Sequence, residues 1–178
     1  MKVINLFGGP GAGKSTTAAG LFHLMKLEHL KVELVTEYAK EVTWERRHDL
    51  LSDQLYIFAK QHRRLVRLRG EVDYVVTDAP LLLSAVYRED SYPLVFEQLV
   101  LEFWNAFDNC SFALERVKPY EKLGRRQTEQ EAKQVDTRVE KVLARFNVPH
   151  TVLPADKDAA AKILAAIKEL EAPAKGGP

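Results

Sequence analysis

The octapeptide Gly8-Gly9-Pro10-Gly11-Ala12-Gly13-Lys14-Ser15 constrains the fold of this chain more than any other stretch. Its glycines let the backbone turn through conformations closed to other side chains, so that successive N–H groups can converge on one point. It follows an apolar run, Lys2 to Phe7, and opens a stretch to about Leu30 with Ala18, Leu21, Phe22 and Met25 at helical spacing. Glycine, four residues, glycine, lysine and serine, placed between a strand and a helix, is the spacing of a P-loop. Converging amides and the partial positive charge of a helix amino terminus suit phosphate oxygens. The expected ATP-binding residues are therefore Gly8, Gly9, Pro10, Gly11, Ala12, Gly13, Lys14, Ser15 and Thr16. Lys14 is expected to bridge the β- and γ-phosphates, Ser15 to offer its hydroxyl to Mg2+, and Thr16 to reach the α-phosphate. A glycine-rich turn without a ligand is the alternative, and the flanking strand and helix count against it.

Strand-like apolar runs then alternate with helical periods, the pattern of an α/β fold whose parallel sheet is covered on both faces. Further strands are predicted at Lys31 to Thr36, Asp73 to Thr77, Ser111 to Val117 and His150 to Leu153. Tyr74, Val75 and Val76 are apolar in succession, as in a strand buried on both faces. Helices are predicted over Glu37 to Arg69 with a break near Arg47 to Asp49, and over Tyr92 to Phe107, Thr128 to Phe146 and Asp158 to Leu170. The connections suit a three-layer P-loop NTPase fold of about five strands in the order 2-3-1-4-5. One domain is expected over residues 1–171, with a mobile lid at about 116–127 and a flexible tail over 172–178, rich in Ala, Pro and Gly.

The third strand ends in Thr77-Asp78-Ala79-Pro80. An aspartate at that position can hold magnesium directly or through water, and otherwise would cap the following helix. Glu37-Tyr38-Ala39-Lys40-Glu41 follows the second strand, whose carboxyl end faces the same crevice. A carboxylate there can take a proton from an attacking hydroxyl, so Glu37 is the first candidate for general base, Asp78 the rival and Glu41 a supporting group. Helix capping or plain solvation is the alternative for Glu37. Arg116 to Gln127 combines proline, glycine and dense positive charge, as a closing lid would. Arg125, Arg126 and Arg116 are its candidates for neutralising a transferring phosphoryl group, against the reading of a solvated basic loop.

Other features carry less. Lys60, His62, Arg63, Arg64, Arg67 and Arg69, with Gln54 and Gln61 nearby, form a basic helical run that could line an acceptor site but reads first as a solvated face. Pro154-Ala155-Asp156 is the expected adenine loop on fold analogy. His23 and His29 lack ligand spacing, and Trp44 and Tyr38 read as core before base-stacking groups. The formal net charge of +1 predicts no global pull toward nucleic acid or an acidic membrane. A lone cysteine, Cys110, leaves no internal disulfide and reads as a small buried hydrophobe. No run approaches a membrane span, so a cytoplasmic location is expected.

In these elements the chain resembles the small P-loop kinases that include nicotinamide riboside kinases and phage nucleoside, nucleotide and polynucleotide kinases. The resemblance rests on the Gly8 to Thr16 loop, Glu37 to Glu41, Val76-Thr77-Asp78 and Gly124-Arg125-Arg126-Gln127. It implies transfer of the ATP γ-phosphate to a hydroxyl or phosphate of a nucleoside-like acceptor. One phage branch, of similar size, acts on hydroxymethyluracil in DNA, which makes DNA a further candidate substrate. Thr77-Asp78-Ala79 stands where the nicotinamide riboside group tends to show two aspartates. A P-loop ATPase or nucleotide-dependent switch acting on a protein partner is the other reading these residues allow.

Overall fold

The computed structural model describes residues 1–117, 119–121 and 128–171. Five parallel strands, β1 (Lys2–Phe7), β2 (Val32–Val35), β3 (Tyr74–Thr77), β4 (Asp108–Glu115) and β5 (Thr151–Pro154), form one sheet in the order β2-β3-β1-β4-β5. The predicted order 2-3-1-4-5 is the observed one, with the strand that feeds the glycine loop in the middle.

Alternation along β1 shows how the core is divided. Val3 and Phe7 point to one face and join Val35, Phe58, Leu65, Val75, Val100, Trp104, Val135 and Val139. Ile4 and Leu6 point to the other and pack with Leu21, Met25, Val76, Phe112, Leu114 and Ile163. Helices α3 (Gln54–Val66), α5 (Val95–Asn105) and α6 (Glu129–Arg145) supply the first face, α1 (Lys14–Leu27) and α7 (Ala159–Glu171) the second. A strand buried on both sides favours apolar residues throughout, which is why β1 and β3 read as apolar runs, with Asn5 and Thr77 the buried polar exceptions.

The remaining helices are short. The predicted Glu37 to Arg69 helix is three pieces: α2 (Tyr38–Trp44), a 3-10 turn (His48–Leu51) and α3. Asp53 starts α3 by accepting from the Tyr56 N–H at 3.0 Å, a side-chain cap that closes the break. A four-residue helix α4 (Leu83–Val86) follows β3 and is buried throughout. It is too short to show a helical period in sequence. β4 begins at Asp108, earlier than the apolar pattern indicates, because Lys2 pairs with Asp108 and Asn5 Nδ2 donates to Asn109 Oδ1 at 3.0 Å. Polar residues there are held by the ladder and not by burial. Among the described residues no helix is long and apolar enough to cross a membrane.

Candidate active site

The carboxyl ends of β1, β2 and β3 open onto a cavity of about 310 Å³, within the size range of small-molecule sites. Its wall is built from the glycine loop, Glu37 at the head of α2, Gln54 and Gln61 of α3, and Ser84 and Tyr87 around α4.

The loop has the backbone its glycines predict. Gly8, Gly11 and Gly13 have φ of 142°, 77° and 98°, conformations that L side chains rarely adopt. Gly13 is the N-cap of α1, and no side chain caps that helix, so its first N–H groups are presented to whatever fills the loop. Lys14 is buried, and its Nζ donates to the carbonyls of Gly8 at 2.7 Å and Gly9 at 3.0 Å. Burial pushes the Lys14 pKa below its ordinary value, while the carboxylates of Glu37, Asp78 and Asp136 pull it back. Ser15 and Thr16 stand exposed on the cavity wall, and Pro10 lines it as well. Ala12 is buried, with its N–H bonded to the Gly9 carbonyl at 3.2 Å.

The two acidic candidates occupy different places. Glu37 is the N-cap of α2, yet its side chain makes no capping bond, and it lines the cavity. Asp78 is 2% exposed and, unlike its neighbours Ala79 and Pro80, does not line the cavity. It does not cap α4, whose N-cap is Leu82. Its Oδ1 is buried with no hydrogen-bond partner among the described residues. An orphaned carboxylate oxygen within electrostatic reach of Lys14 is what a cation at this position would require. Magnesium therefore fits the donor set of Asp78 and the Ser15 hydroxyl. No cluster of three His, Cys, Asp or Glu residues suited to a metal occurs among the described residues, so phosphate and water oxygens would complete such a site.

The basic run divides. Gln54 and Gln61 are buried and line the cavity, whereas Lys60, Arg63 and Arg67 are exposed and do not. Gln61 holds the entry to α2, accepting from the Tyr38 N–H at 3.0 Å and donating to the Thr36 carbonyl at 3.3 Å. Arg64 pairs with Glu41 at 2.5 Å, a bond that links α2 to α3. His62 packs among Phe58, Phe103 and Phe107, and Arg69 lies over the Phe107 ring. Trp44 is 60% exposed, so its reading as a core residue is corrected: α2 turns that face to solvent because Val42 fills its buried side. Tyr38 is half-buried, with its hydroxyl 2.9 Å from that of Tyr56. His23 and His29 are exposed, and Cys110 is half-buried against the α1/α7 face, where burial raises its pKa.

Arg116 leaves the end of β4 and crosses back over the loop. Arg125 and Arg126, with most of the predicted lid, lie outside the described residues. Ala155, from the loop expected to hold adenine, lies against the loop glycines: a Cβ on Gly13 would stand 2.8 Å from the Ala155 Cβ. Contributors outside the predicted site include Ser84, Tyr87, Glu89 and Asp136. Ser84 and Tyr87 reach the cavity from α4 and the residue after it, and burial raises the Tyr87 phenol pKa, with Glu37 adding to the rise. Asp136, on α6, accepts from the Gly9 N–H at 2.5 Å. No local pattern marks any of them.

A family model described as an AAA domain matches residues 3–161. No curated protein matches the chain. Among solved structures the chain resembles deoxyadenosine kinase from M. mycoides with products dCMP and a flexible dCDP bound. That likeness has a TM-score of 0.59 and 18% identity, and it covers 97% of this chain and 100% of that one. The same enzyme with bound dATP gives a TM-score of 0.54 at 18% identity over the same shares. At that identity the likeness establishes a common fold.

Proposed function

Since the chain belongs to the AAA-domain family of P-loop proteins, we propose that it is an ATP-dependent kinase for a hydroxyl of a nucleoside-like acceptor. The observation that carries this reading is that Glu37 and the phosphate loop line one and the same cavity. A switch or motor needs the loop, whereas a carboxylate beside it in a cavity of small-molecule size suits transfer to an acceptor.

In this reading the acceptor oxygen attacks the γ-phosphorus in line, its proton passes to Glu37, and the bond to the bridging oxygen breaks to release ADP. Lys14, the N–H groups at the start of α1 and Arg116 stabilise the charge on the phosphoryl oxygens, with Arg125 and Arg126 assigned the same task. Magnesium, held by Ser15 and Asp78, would supply charge neutralisation. Glu37 is assigned the base and Asp78 the metal because, of the two, Glu37 lines the cavity.

The deoxyadenosine kinase likeness supports a nucleoside-sized acceptor, as do the polar side chains of Gln54 and Gln61 on the cavity wall. A free nucleoside or nucleotide is ranked ahead of hydroxymethyluracil in DNA, since the exposed cations of α3 lie off the cavity and a base in duplex would first have to leave its stack.

The test is labelled ATP offered with nucleosides, nucleotides and hydroxymethyluracil-containing DNA. Label is expected on a free nucleoside-like acceptor and on no protein. Lys14→Ala should abolish transfer to every acceptor, and Glu37→Gln should keep ATP binding while slowing transfer by roughly a hundredfold or more. ATP consumption that needs no acceptor would overturn the kinase reading in favour of an ATPase or switch.

A further inference from the structure

Asp136 has no part in the chemistry above, yet it makes the most direct contact between the last long helix and the glycine loop. Its Oδ1 accepts from the Gly9 N–H at 2.5 Å, and its Oδ2 accepts from Arg116 Nη2 at 2.9 Å and Nε at 3.3 Å. The carboxylate thus joins a residue at the start of the loop to one at the end of β4. Gly9 is required for this approach, because a Cβ there would stand 2.6 Å from both Asp136 Oδ1 and the Ala132 carbonyl.

The guanidinium is only partly satisfied. Two of its nitrogens bind Asp136, while Nη1 is buried with no partner among the described residues. Nη1 lies over the middle of the loop, 3.0 Å from where a Cβ on Gly11 would be. The guanidinium also lies over the Tyr120 ring, its carbon 6.0 Å from the ring centroid, but a buried N–H on a permanently charged group beside the loop has an anion as its natural complement. Arginine presents its donors in a rigid fork, so fixing two nitrogens fixes the direction of the third.

We infer that Asp136 is a positioning residue: it sets Arg116 as a preformed donor to the phosphates of a nucleoside triphosphate and holds the mouth of the loop by the Gly9 N–H. The inference rests on the nucleotide-binding half of the proposed function and is independent of the acceptor. Without the carboxylate, Arg116 is free to swing into solvent, and the ordering it now has in advance must be supplied on binding.

The experiment is calorimetric titration of ATP with Mg2+ into the full chain and into Asp136→Asn, Asp136→Ala, Arg116→Ala and the Arg116→Ala/Asp136→Ala double variant. Asparagine keeps the size of the side chain and an acceptor for Gly9 but cannot form the ion pair, so it preserves the fold contact while releasing Arg116. ATP affinity is expected to fall roughly tenfold or more in each single variant and no further in the double one, the signature of two residues acting as a unit. Wild-type affinity in Asp136→Asn, or losses that add in the double variant, would overturn the inference. If the wild-type chain binds ATP but labels no acceptor, the kinase reading fails while the Asp136 comparison is still decided. If it binds no nucleotide, both fall.

Discussion

His62 sits where a charge is unwelcome. Its ring is stacked on Phe58 at 6.0 Å and meets the edge of Phe103 at 4.5 Å, and burial, with Arg69 adding to it, lowers its pKa from the ordinary 6.5. A lowered pKa means that the folded state holds the neutral imidazole and the unfolded chain takes the proton first. The stabilisation is therefore present above about pH 6.5 and drains away as the solution is acidified below it. His62→Phe should flatten the fall in melting temperature between about pH 7 and pH 5, measured by thermal unfolding in matched buffers; parallel curves for the two proteins would contradict it. Residues with local roles were legible in sequence: Lys14 and Ser15 are fixed by a motif whose geometry needs only its own eight residues. Glu37 and Asp78 both follow strand ends in the sequence, but that Glu37 lines the cavity and Asp78 does not depends on how the chain settles after β2 and β3, which no local pattern displays. Trp44 misled because an aromatic at helical spacing carries no mark of which helix face is left without a partner.

At the level of elements, α6 does more than cover the sheet. Thr128 and Glu131 form a capping box at its start, with the Thr128 N–H donating to Glu131 Oε2 at 2.7 Å, and Val135 and Val139 bury one stripe. Its packing face presents Asp136 to the loop, and Gly9 is the only residue type that lets the two meet. Gly9→Ala should push α6 outward, lower stability by about 1–3 kcal/mol in urea titration and weaken ATP binding together; an unchanged midpoint would show that the helix yields freely. The limits of α6 were close to legible, since a long amphipathic period with a cap is the strongest helical signal. α4 was invisible, for four buried residues hold no period, and with it went Ser84 and Tyr87. The Glu37 to Arg69 stretch was readable as helical with a break, but the 3-10 turn between its halves follows from Asp53 capping α3, a tertiary fit that spacing alone does not display.

Taken whole, the molecule is a parallel sheet covered by helices on both faces, with its candidate site at the carboxyl ends of β1, β2 and β3. The sheet order followed from the sequence because few topologies place a P-loop strand centrally with right-handed crossovers. The size and lining of the cavity did not, since they depend on how α2, α3 and α4 settle over the ends of β2 and β3. Filling the loop with nucleotide should stabilise the whole cooperative unit: ATP with Mg2+ at about a hundred times its dissociation constant raises unfolding stability by about 2.7 kcal/mol, and Lys14→Ala should remove the gain. A melting temperature indifferent to ATP in the wild-type chain would speak against nucleotide binding. The central place of β1 has a cost during synthesis. Lys2 pairs with Tyr74 on one flank and Asp108 on the other, so β1 lacks both neighbours until strands far downstream have been made. Until then Val3, Ile4, Leu6 and Phe7 form an unpaired apolar ribbon, the kind of segment through which unfinished chains associate.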